Sequence, residues 1–177
     1  MTDTKIERFS AEIVCAQIMS VLRAWGMAED NIAVTAEIMV ETDLLGVDSH
    51  GLSMLILYEQ MQKAGQLRLT AEPRIVRQSA ATALIDGGAG LGHPSAFMAM
   101  TLAIEKALAH DVGVVGVFNS HHFGAAGHYA CMAARRELIG IAASTTRIVS
   151  VVPTRGAERV LGTNPLAFAA RPGDFRQ

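Results

Sequence analysis

The chain has 177 residues, of which 50% are hydrophobic and 18% are charged, and its formal net charge is −2. This balance predicts a folded globular protein of one domain or slightly more, and the lack of a basic surplus argues against nucleic acid or an anionic membrane as a partner. The opening segment MTDTKIERFS lacks the apolar core of a signal peptide, and no later run approaches the roughly 20 apolar residues of a membrane span, so we expect a cytoplasmic protein.

The two cysteines, Cys15 and Cys131, lie far apart in the sequence, each within an apolar helical pattern. No CxxC spacing is present, which argues against a metal site or a disulfide. We therefore expect both residues to be reduced thiols in the core.

Three helices are predicted in the first third of the chain. Ser10 is a suitable N-cap, and the apolar residues after it recur at spacings of three and four until Gly26. A second helix runs to Gly46, and residues 52–65 form a third. The segment GVDSHGL, residues 46–52, is therefore predicted to be a bend between two helices.

Beyond Pro73 the pattern changes to short β-prone runs that alternate with two helices. This order predicts an α/β layer with at least one parallel pair of strands. The loop NSHHFGAAGH would then lie at the carboxyl edge of the sheet, where open α/β sheets bind ligands. The predicted strands are 74–78, 81–86, 113–119, 138–144 and 165–170, and the predicted helices are 93–110 and 124–137.

The segment IDGGAGLGHPS follows a predicted strand and opens a helix, as a dinucleotide fingerprint would. Gly88 and Gly90 satisfy the first two positions of that fingerprint, but the third falls on His93. No acidic residue ends the next strand to bind a ribose. We interpret the segment as a glycine turn between strand and helix, with His93 as a turn residue.

The segment VDSHG nearly matches the nucleophile elbow of hydrolases, but Val47 stands where the first glycine is required. An elbow also joins a strand to a helix, whereas this bend joins two helices. The adjacent side chains of Ser49 and His50 are expected to point apart rather than to form a nucleophile–base pair. The pattern therefore does not favour hydrolase chemistry.

Five residues in two segments are of types that bind metals: Asp48, His50, His121, His122 and His128. The six-residue separation of His122 and His128 places them on different helix faces, and no HxxxH pair occurs. We therefore expect no metal site.

After hydrolase and metal chemistry, the remaining possibility is general acid–base chemistry by histidine. An imidazole exchanges protons near neutral pH, and a neighbouring hydroxyl can orient it or relay the proton, which makes His50 with Ser49 a candidate pair. A purely structural role for His50 is the alternative. Likewise, HHFGAAG is either a polar loop or a helix N-terminus whose small residues let backbone N–H groups approach a phosphate.

Three segments occur in order along the chain: DLLGVDSHGL, NSHHFGAAGHYA and GAERVLGTNPLAFAA. Together they resemble the malate/L-lactate dehydrogenase family of NAD(P)-dependent oxidoreductases. The resemblance implies an α/β fold in which an N-terminal helical region, residues 1–68, lies on a mixed-sheet, non-Rossmann nucleotide-binding region, residues 69–177. Since family members are about twice as long, that second region would be incomplete at its C-terminus, and the aspartate of the proton relay would lie beyond it.

The resemblance also assigns roles to single residues. His50 would be the proton donor when a 2-oxo acid is reduced, and Ser49 would belong to the relay. In some members the acid–base role falls instead to the histidine that matches His122. Thr163 would contact the substrate. NAD or NADP would be lined by His122, Phe123, Gly124, Ala125 and Ala126 and, more loosely, by Thr146.

One position departs from the family pattern. Many members have an arginine four residues after the motif histidine, where it can bind a substrate carboxylate through two parallel hydrogen bonds, but this chain has Met54. Either another cation such as Arg147 or Arg155 replaces it, or the substrate differs from a simple 2-hydroxy acid.

The resemblance therefore implies an NAD(P)H-dependent oxidoreductase, or its N-terminal part, that transfers hydride between nicotinamide and a 2-oxo or 2-hydroxy acid such as malate or lactate. It also implies a homodimer with the active site near the subunit interface. The alternative is a catalytically silent homologue that serves as an oligomeric binding or structural module.

Overall fold

The computed structural model describes residues 8–146 and 148–171. Its first part contains the three predicted helices, and the Ser10 side chain caps the first of them by accepting a hydrogen bond from the Ile13 N–H. The third helix differs from the prediction in beginning with a 3₁₀ turn. The bounds are Ala11–Ala24 for α1, Glu29–Leu44 for α2, Leu52–Met54 for the 3₁₀ turn and Leu55–Lys63 for α3.

A hydrophobic core joins these helices to the segment that follows them. Its helical members recur at the three- and four-residue spacing of an amphipathic helix, so that one face of each helix is removed from water. This burial is the main source of stability for helices of this length. The buried members are Ile18, Leu22, Met27, Ile32, Ala36, Met39, Tyr58, Leu67, Leu69 and Leu91.

A three-stranded mixed sheet follows. Its strands are β1 (Arg74–Gln78), β2 (Thr82–Gly90) and β3 (Val114–Ser120), in the order β1-β2-β3. Strand β1 pairs antiparallel with β2, whereas β2 pairs parallel with β3. Helix α4 (Gly92–His110) makes the connection between the parallel strands. The predicted parallel pair and the predicted α/β class are confirmed.

The prediction of a glycine turn after residue 86 was wrong. Strand β2 continues through Gly90, which pairs with Ser120 after an irregularity in register. Both Gly88 and Ala89 have positive φ, so the strand bulges here without turning back. His93 is not a turn residue, because it lies in the first turn of α4 and is fully buried.

A second, two-stranded antiparallel sheet consists of β4 (Gly140–Ala143) and β5 (Leu166–Ala169) and packs on α5 (Ala126–Ala134). Helix α5 is shorter than predicted at both ends. It begins late because Gly124 has a φ of +77°, and the chain leaves helical geometry at Glu137, whose φ is +63°. The expected helical layer followed by a mixed sheet is thus confirmed, and the boundary between residues 68 and 69 stays a prediction.

The two cysteines lie in different surroundings. Cys15 is partly buried against the hydrophobic core, as expected, but Cys131 on α5 is exposed, so its placement in the core was wrong. Both thiols are free. Within the described residues, no helix is long and apolar enough to cross a membrane.

Candidate active site

The bend between α2 and α3 is fixed by hydrogen bonds that its own residues make. The carboxylate of Asp43, at the end of α2, accepts the Leu52 N–H at 2.8 Å. Asp48 takes part through its backbone carbonyl, which accepts from the Ser53 hydroxyl at 2.5 Å. A Cβ at Gly51 would lie 1.8 Å from the Asp43 carboxylate, so the residue after His50 must be glycine for this approach.

Ser49 and His50 do not point apart, and that prediction was wrong. The Ser49 hydroxyl lies 2.8 Å from Nδ1 of His50, within hydrogen-bond distance. The tight bend turns both side chains to the same side, which an extended segment would not do. The pair therefore has the contact that a hydroxyl–imidazole relay needs.

The loop after β3 is joined to the junction of β2 and α4 by backbone hydrogen bonds. The His121 N–H donates to the Gly90 carbonyl at 3.0 Å, and the Gly92 N–H donates to the His122 carbonyl at 2.7 Å. A Cβ at Gly92 would lie 2.4 Å from the His121 carbonyl oxygen. The glycine-rich segment therefore serves close packing of this loop, which brings His122 to the helical layer.

Four side chains from four parts of the chain meet at this point, and we call His50, Tyr58, His93 and His122 the histidine cluster. The rings of His50 and His122 have centroids 5.1 Å apart. The Tyr58 hydroxyl lies 2.7 Å from Nδ1 of His122. The ring of His93 packs edge-on against Tyr58 and His122, with centroid distances of 6.1 and 6.0 Å.

Burial makes protonation of two of these imidazoles unfavourable. It lowers the pKa of His93 to about 3, and the nearby His122 and His128 act in the same direction. Burial, with the neighbouring His50, lowers the pKa of His122 to about 4. Burial also raises the pKa of Tyr58 above its ordinary value, so the phenol keeps its proton. The cluster thus contains two neutral imidazoles and one phenol at neutral pH.

Several buried polar atoms around the cluster have no hydrogen-bond partner within the described part of the chain. They include both ring nitrogens of His93 and the hydroxyl oxygens of Ser95 and Ser120. Unpartnered buried polar atoms are uncommon, so each needs an explanation, and a catalytic or ligand-binding role is one. We therefore consider this region, at the carboxyl edge of the parallel strands, the candidate active site.

His128, outside the histidine cluster, links α5 to the helical layer. Nδ1 of His128, on α5, contacts a carboxylate oxygen of Glu41, on α2. Arg135 donates to the other oxygen at 2.8 Å. Burial by itself would raise the pKa of Glu41, but the Arg135 and His128 contacts outweigh it and hold that pKa below its ordinary value. This network positions α5 on α2.

The residues expected to line a dinucleotide lie together between β3 and α5. The Phe123 ring stacks on Tyr129 at a centroid distance of 5.4 Å, and Gly124 lies against His93. Ala125 is the N-cap of α5, and Ala126 is its first residue. At the exposed Gly127 a Cβ would meet no atom within 4 Å, so the helix backbone is open to a ligand there. An exposed helix N-terminus of this kind can bind an anionic group.

The two threonines lie in the segment between β4 and β5. The Thr146 N–H donates to the Asn164 side-chain oxygen at 3.1 Å, and a Cβ at Gly162 would lie 2.6 Å from the Thr146 hydroxyl oxygen. Thr163 lies between Gly162 and Asn164 in the sequence and is exposed. The structure therefore brings Thr146 to the segment that contains Thr163. Arg155 is exposed in the same segment, and Arg147 lies outside the described residues.

Met54 lies in the 3₁₀ turn before α3 and packs against the hydrophobic core that contains Tyr58. An apolar side chain in this position contributes packing but no charge.

A cleft of about 590 Å³ lies elsewhere in the structure, and it is lined by Arg68, Arg74 and Asp86 among others. Asp86 is engaged there by the Gly88 N–H, Asn119 and Arg74, which lower its pKa.

Two members of the cluster were missed in the sequence. Tyr58 lies on α3, whereas His50 lies in the bend before it, so no single helical face joined the two in the sequence. His93 is a polar residue in an otherwise small and apolar helix start, which suggested a turn. Among residues 8–146 and 148–171, no group of three potential ligands is positioned to hold a metal ion.

Comparison with known proteins gives a consistent result. The family model described as malate/L-lactate dehydrogenase matches residues 9–175. The chain is 39% identical to malate dehydrogenase of Pyrococcus abyssi over 168 residues, which are 95% of this chain and 46% of that protein. It is also 39% identical to L-sulfolactate dehydrogenase of Methanocaldococcus jannaschii, with 90% of this chain and 46% of that protein covered.

The fold agrees with these similarities. The crystal structure of malate dehydrogenase from Entamoeba histolytica superposes with a TM-score of 0.87 at 36% identity, covering 96% of this chain and 47% of that one. The chain thus spans about half the length of the relatives that it matches.

Proposed function

Because the chain belongs to the malate/L-lactate dehydrogenase family, we propose that it forms the proton-transferring part of an NAD(P)-dependent dehydrogenase of 2-oxo and 2-hydroxy acids. The observation that carries this function is the hydrogen bond between Ser49 and His50, beside the ring of His122. A hydroxyl on one imidazole nitrogen leaves the other nitrogen available to a substrate oxygen.

In this function His50 gives a proton to the substrate oxygen when a 2-oxo acid is reduced and takes it back in the reverse direction. Ser49 holds the ring in position through Nδ1 and relays the proton. The bend supports this role, since Gly51 and Asp43 fix the backbone on either side of the pair. A positioned acid–base group of this kind contributes about 10² to 10⁴ in rate.

NAD or NADP, when bound, supplies or accepts the hydride. The residues proposed to hold the dinucleotide are His122, Phe123, Gly124, Ala125 and Ala126, with Thr146 as a further contact. Their support is the open backbone at the start of α5, where N–H groups and the helix dipole favour an anionic group. Thr163 is proposed to contact the substrate.

Malate, lactate or a related compound is the proposed substrate. The relatives are named for malate and L-sulfolactate, which are both 2-hydroxy acids. With Met54 packed on the core, the substrate carboxylate needs a cation from elsewhere, and Arg155 is one proposed source. A homodimer is also proposed, because strands β4 and β5 present exposed apolar side chains such as Leu166 and Ile141. The cytoplasmic location stays a prediction.

The direct test is His50→Ala. We expect kcat/KM for NADH-dependent reduction of oxaloacetate or pyruvate to fall by about 10² to 10⁴, because the proton donor is lost, while NADH affinity stays the same. Absorbance of NADH gives the rate, and its fluorescence on titration gives the affinity. His110→Gln, which replaces an exposed histidine at the end of α4, is the control and should keep both values.

The catalytically silent module is the rival function, and the replacement of the family arginine by Met54 favours it. It predicts no NADH or NADPH binding, no turnover, and a His50→Ala variant that matches the parent in every assay. That combination would overturn the dehydrogenase function.

A further inference from the structure

Two hydrogen-bond donors converge on one nitrogen of His122. The Tyr58 hydroxyl lies 2.7 Å from Nδ1, and the Gly124 N–H donates to the same atom over a longer distance of 3.4 Å. A backbone N–H has no lone pair and can only donate, so Nδ1 must be the acceptor. The network therefore assigns the proton of the neutral ring to Nε2.

Tyr58 is the donor in this contact, because the Gly124 N–H already requires Nδ1 of His122 to be the acceptor. It lies on α3, its side chain is 0% exposed, and the core of the helical layer surrounds it. Burial raises the pKa of its phenol, so the hydroxyl keeps the proton that it donates. The helical layer thus delivers a fixed O–H donor to a loop that lies 64 residues later in the chain.

The surroundings of His122 keep its ring in the neutral form. Burial and the neighbouring His50 lower the pKa of His122 to about 4. The His93 ring, whose centroid is 6.0 Å from that of His122, is itself buried and neutral. His122 is therefore a poor proton acceptor at neutral pH, whereas its Nε2–H is a good hydrogen-bond donor.

We propose, on the basis of the function proposed above, that Tyr58 is a positioning residue that holds His122 as a neutral Nε2–H donor to the substrate carbonyl oxygen. His122 keeps its proton throughout the reaction, and His50 alone exchanges one. The ring centroids of His50 and His122 are 5.1 Å apart, which is close enough for one small oxygen-bearing ligand to contact both. This excludes His122 as the acid–base residue in this chain.

The position of the proton is measurable without any turnover. Nitrogen-15 labelling of the histidine rings in the full chain distinguishes a protonated from an unprotonated ring nitrogen, and the His122→Gln variant identifies which signals belong to His122. At neutral pH we expect a protonated Nε2 and an unprotonated Nδ1. A His122 ring that is charged, or that carries its proton on Nδ1, would overturn the assignment.

Tyr58→Phe removes the hydroxyl and keeps the buried ring. We expect the His122 signals to shift towards a mixture of both neutral forms and kcat to fall about tenfold, which is the usual effect of one hydrogen bond. Thr35→Val is the control, because it removes another fully buried hydroxyl, one that donates to the Met27 sulfur within the helical layer, and it should leave the His122 signals and kcat unchanged. Unchanged His122 signals in Tyr58→Phe would contradict the positioning role.

His122→Gln separates the two possible roles of His122, and it does not require Tyr58→Phe to fold. A glutamine amide still donates a hydrogen bond, so we expect a loss of about tenfold and a pH profile of kcat/KM like that of the parent. A loss beyond about 10³ together with a lost limb of that profile would make His122 the acid–base residue. Absence of any turnover would refute the proposed function, while the ring nitrogen signals would still test the role of Tyr58.

Discussion

The histidine cluster and the segment between β4 and β5 both contain residues expected at the active site, but they differ in what holds them. The cluster rests on a fully buried tyrosine and a fully buried histidine. The second segment contains Thr146 and Thr163, is held by local hydrogen bonds, and precedes a strand with exposed apolar side chains.

This difference teaches that the geometry of the two regions has different sources. Side chains of the cluster are fixed by the close packing of α3, α4 and the loop after β3, so a ring cannot move without creating a cavity or an overlap. In the second segment a removed side chain is replaced by water at little cost. Substitutions in the two regions should therefore have very different effects on stability.

The largest effect is expected from comparing a truncated ring of the cluster with one on β5, the exposed strand that follows the second segment. Tyr58→Ala should lower the free energy of unfolding by about 3 to 5 kcal/mol, because a fully buried ring is lost and a cavity remains. Phe168→Ala on β5, where the ring is 66% exposed, should change it by less than about 0.5 kcal/mol. Denaturant unfolding of both variants measures the difference, and equal losses would contradict the contrast between the regions.

The second-largest effect on stability is expected from acid, because two buried imidazoles of the cluster are neutral. His93 and His122 have folded-state pKa values of about 3 and about 4, below the ordinary 6.5, so the unfolded chain binds protons first as the pH falls. Stability is therefore present above about pH 6.5 and is lost below it, by roughly 2 kcal/mol per histidine by about pH 5. Chemical denaturation at a series of pH values measures this slope.

The matched variants assign that slope to the cluster. His93→Phe should reduce the loss on acidification by about half, because one of the two neutral buried imidazoles is gone. His110→Gln removes an exposed histidine and should keep the parent slope. If the two variants gave the same slope, burial of His93 would not be the cause.

The smallest effect concerns two glycines with the same φ of +77°. Gly46→Ala should cost about 1 kcal/mol from backbone strain, since its new Cβ meets no atom within 4 Å. Gly124→Ala should cost about 1 kcal/mol more, because its Cβ would lie 3.1 Å from Nε2 of His93 and 3.3 Å from the Ile38 side chain. Thermal unfolding of both glycine variants checks this difference. Equal losses of stability would contradict it, because they would show that the loop at Gly124 accommodates the new Cβ.

Much of the fold was predictable from periodicity and from helix-ending residues. Ser10 at the start of α1 and Gly26 at its end were predicted correctly, as was the presence of a parallel pair, which the structure shows to be β2 and β3. These features depend on residues close in sequence and on the period of one element. The end of β2 was misread because glycines favour turns in general, whereas here they permit a bulge and the close approach of another loop.

The candidate site was predictable in its parts but not in its connections. The motif around His50 and the loop around His122 were both identified, but the contact between Ser49 and His50 was expected to be absent. That contact depends on side-chain rotamers at a tight bend, which a sequence pattern does not specify. The participation of His93 was missed for a related reason, since α3 and the loop after β3 pack their rings around it.

The sequence by itself determined the order of helices and strands, the bend that carries Ser49 and His50, and the resemblance to a dehydrogenase family. Only the tertiary structure decided that Tyr58 donates to His122 and that His93 lies beside both. The physical reason is the separation along the chain between the residues that each feature involves. Hydrophobic periodicity reports which face of one element is buried, whereas a hydrogen bond between residues 64 positions apart depends on how several elements pack together.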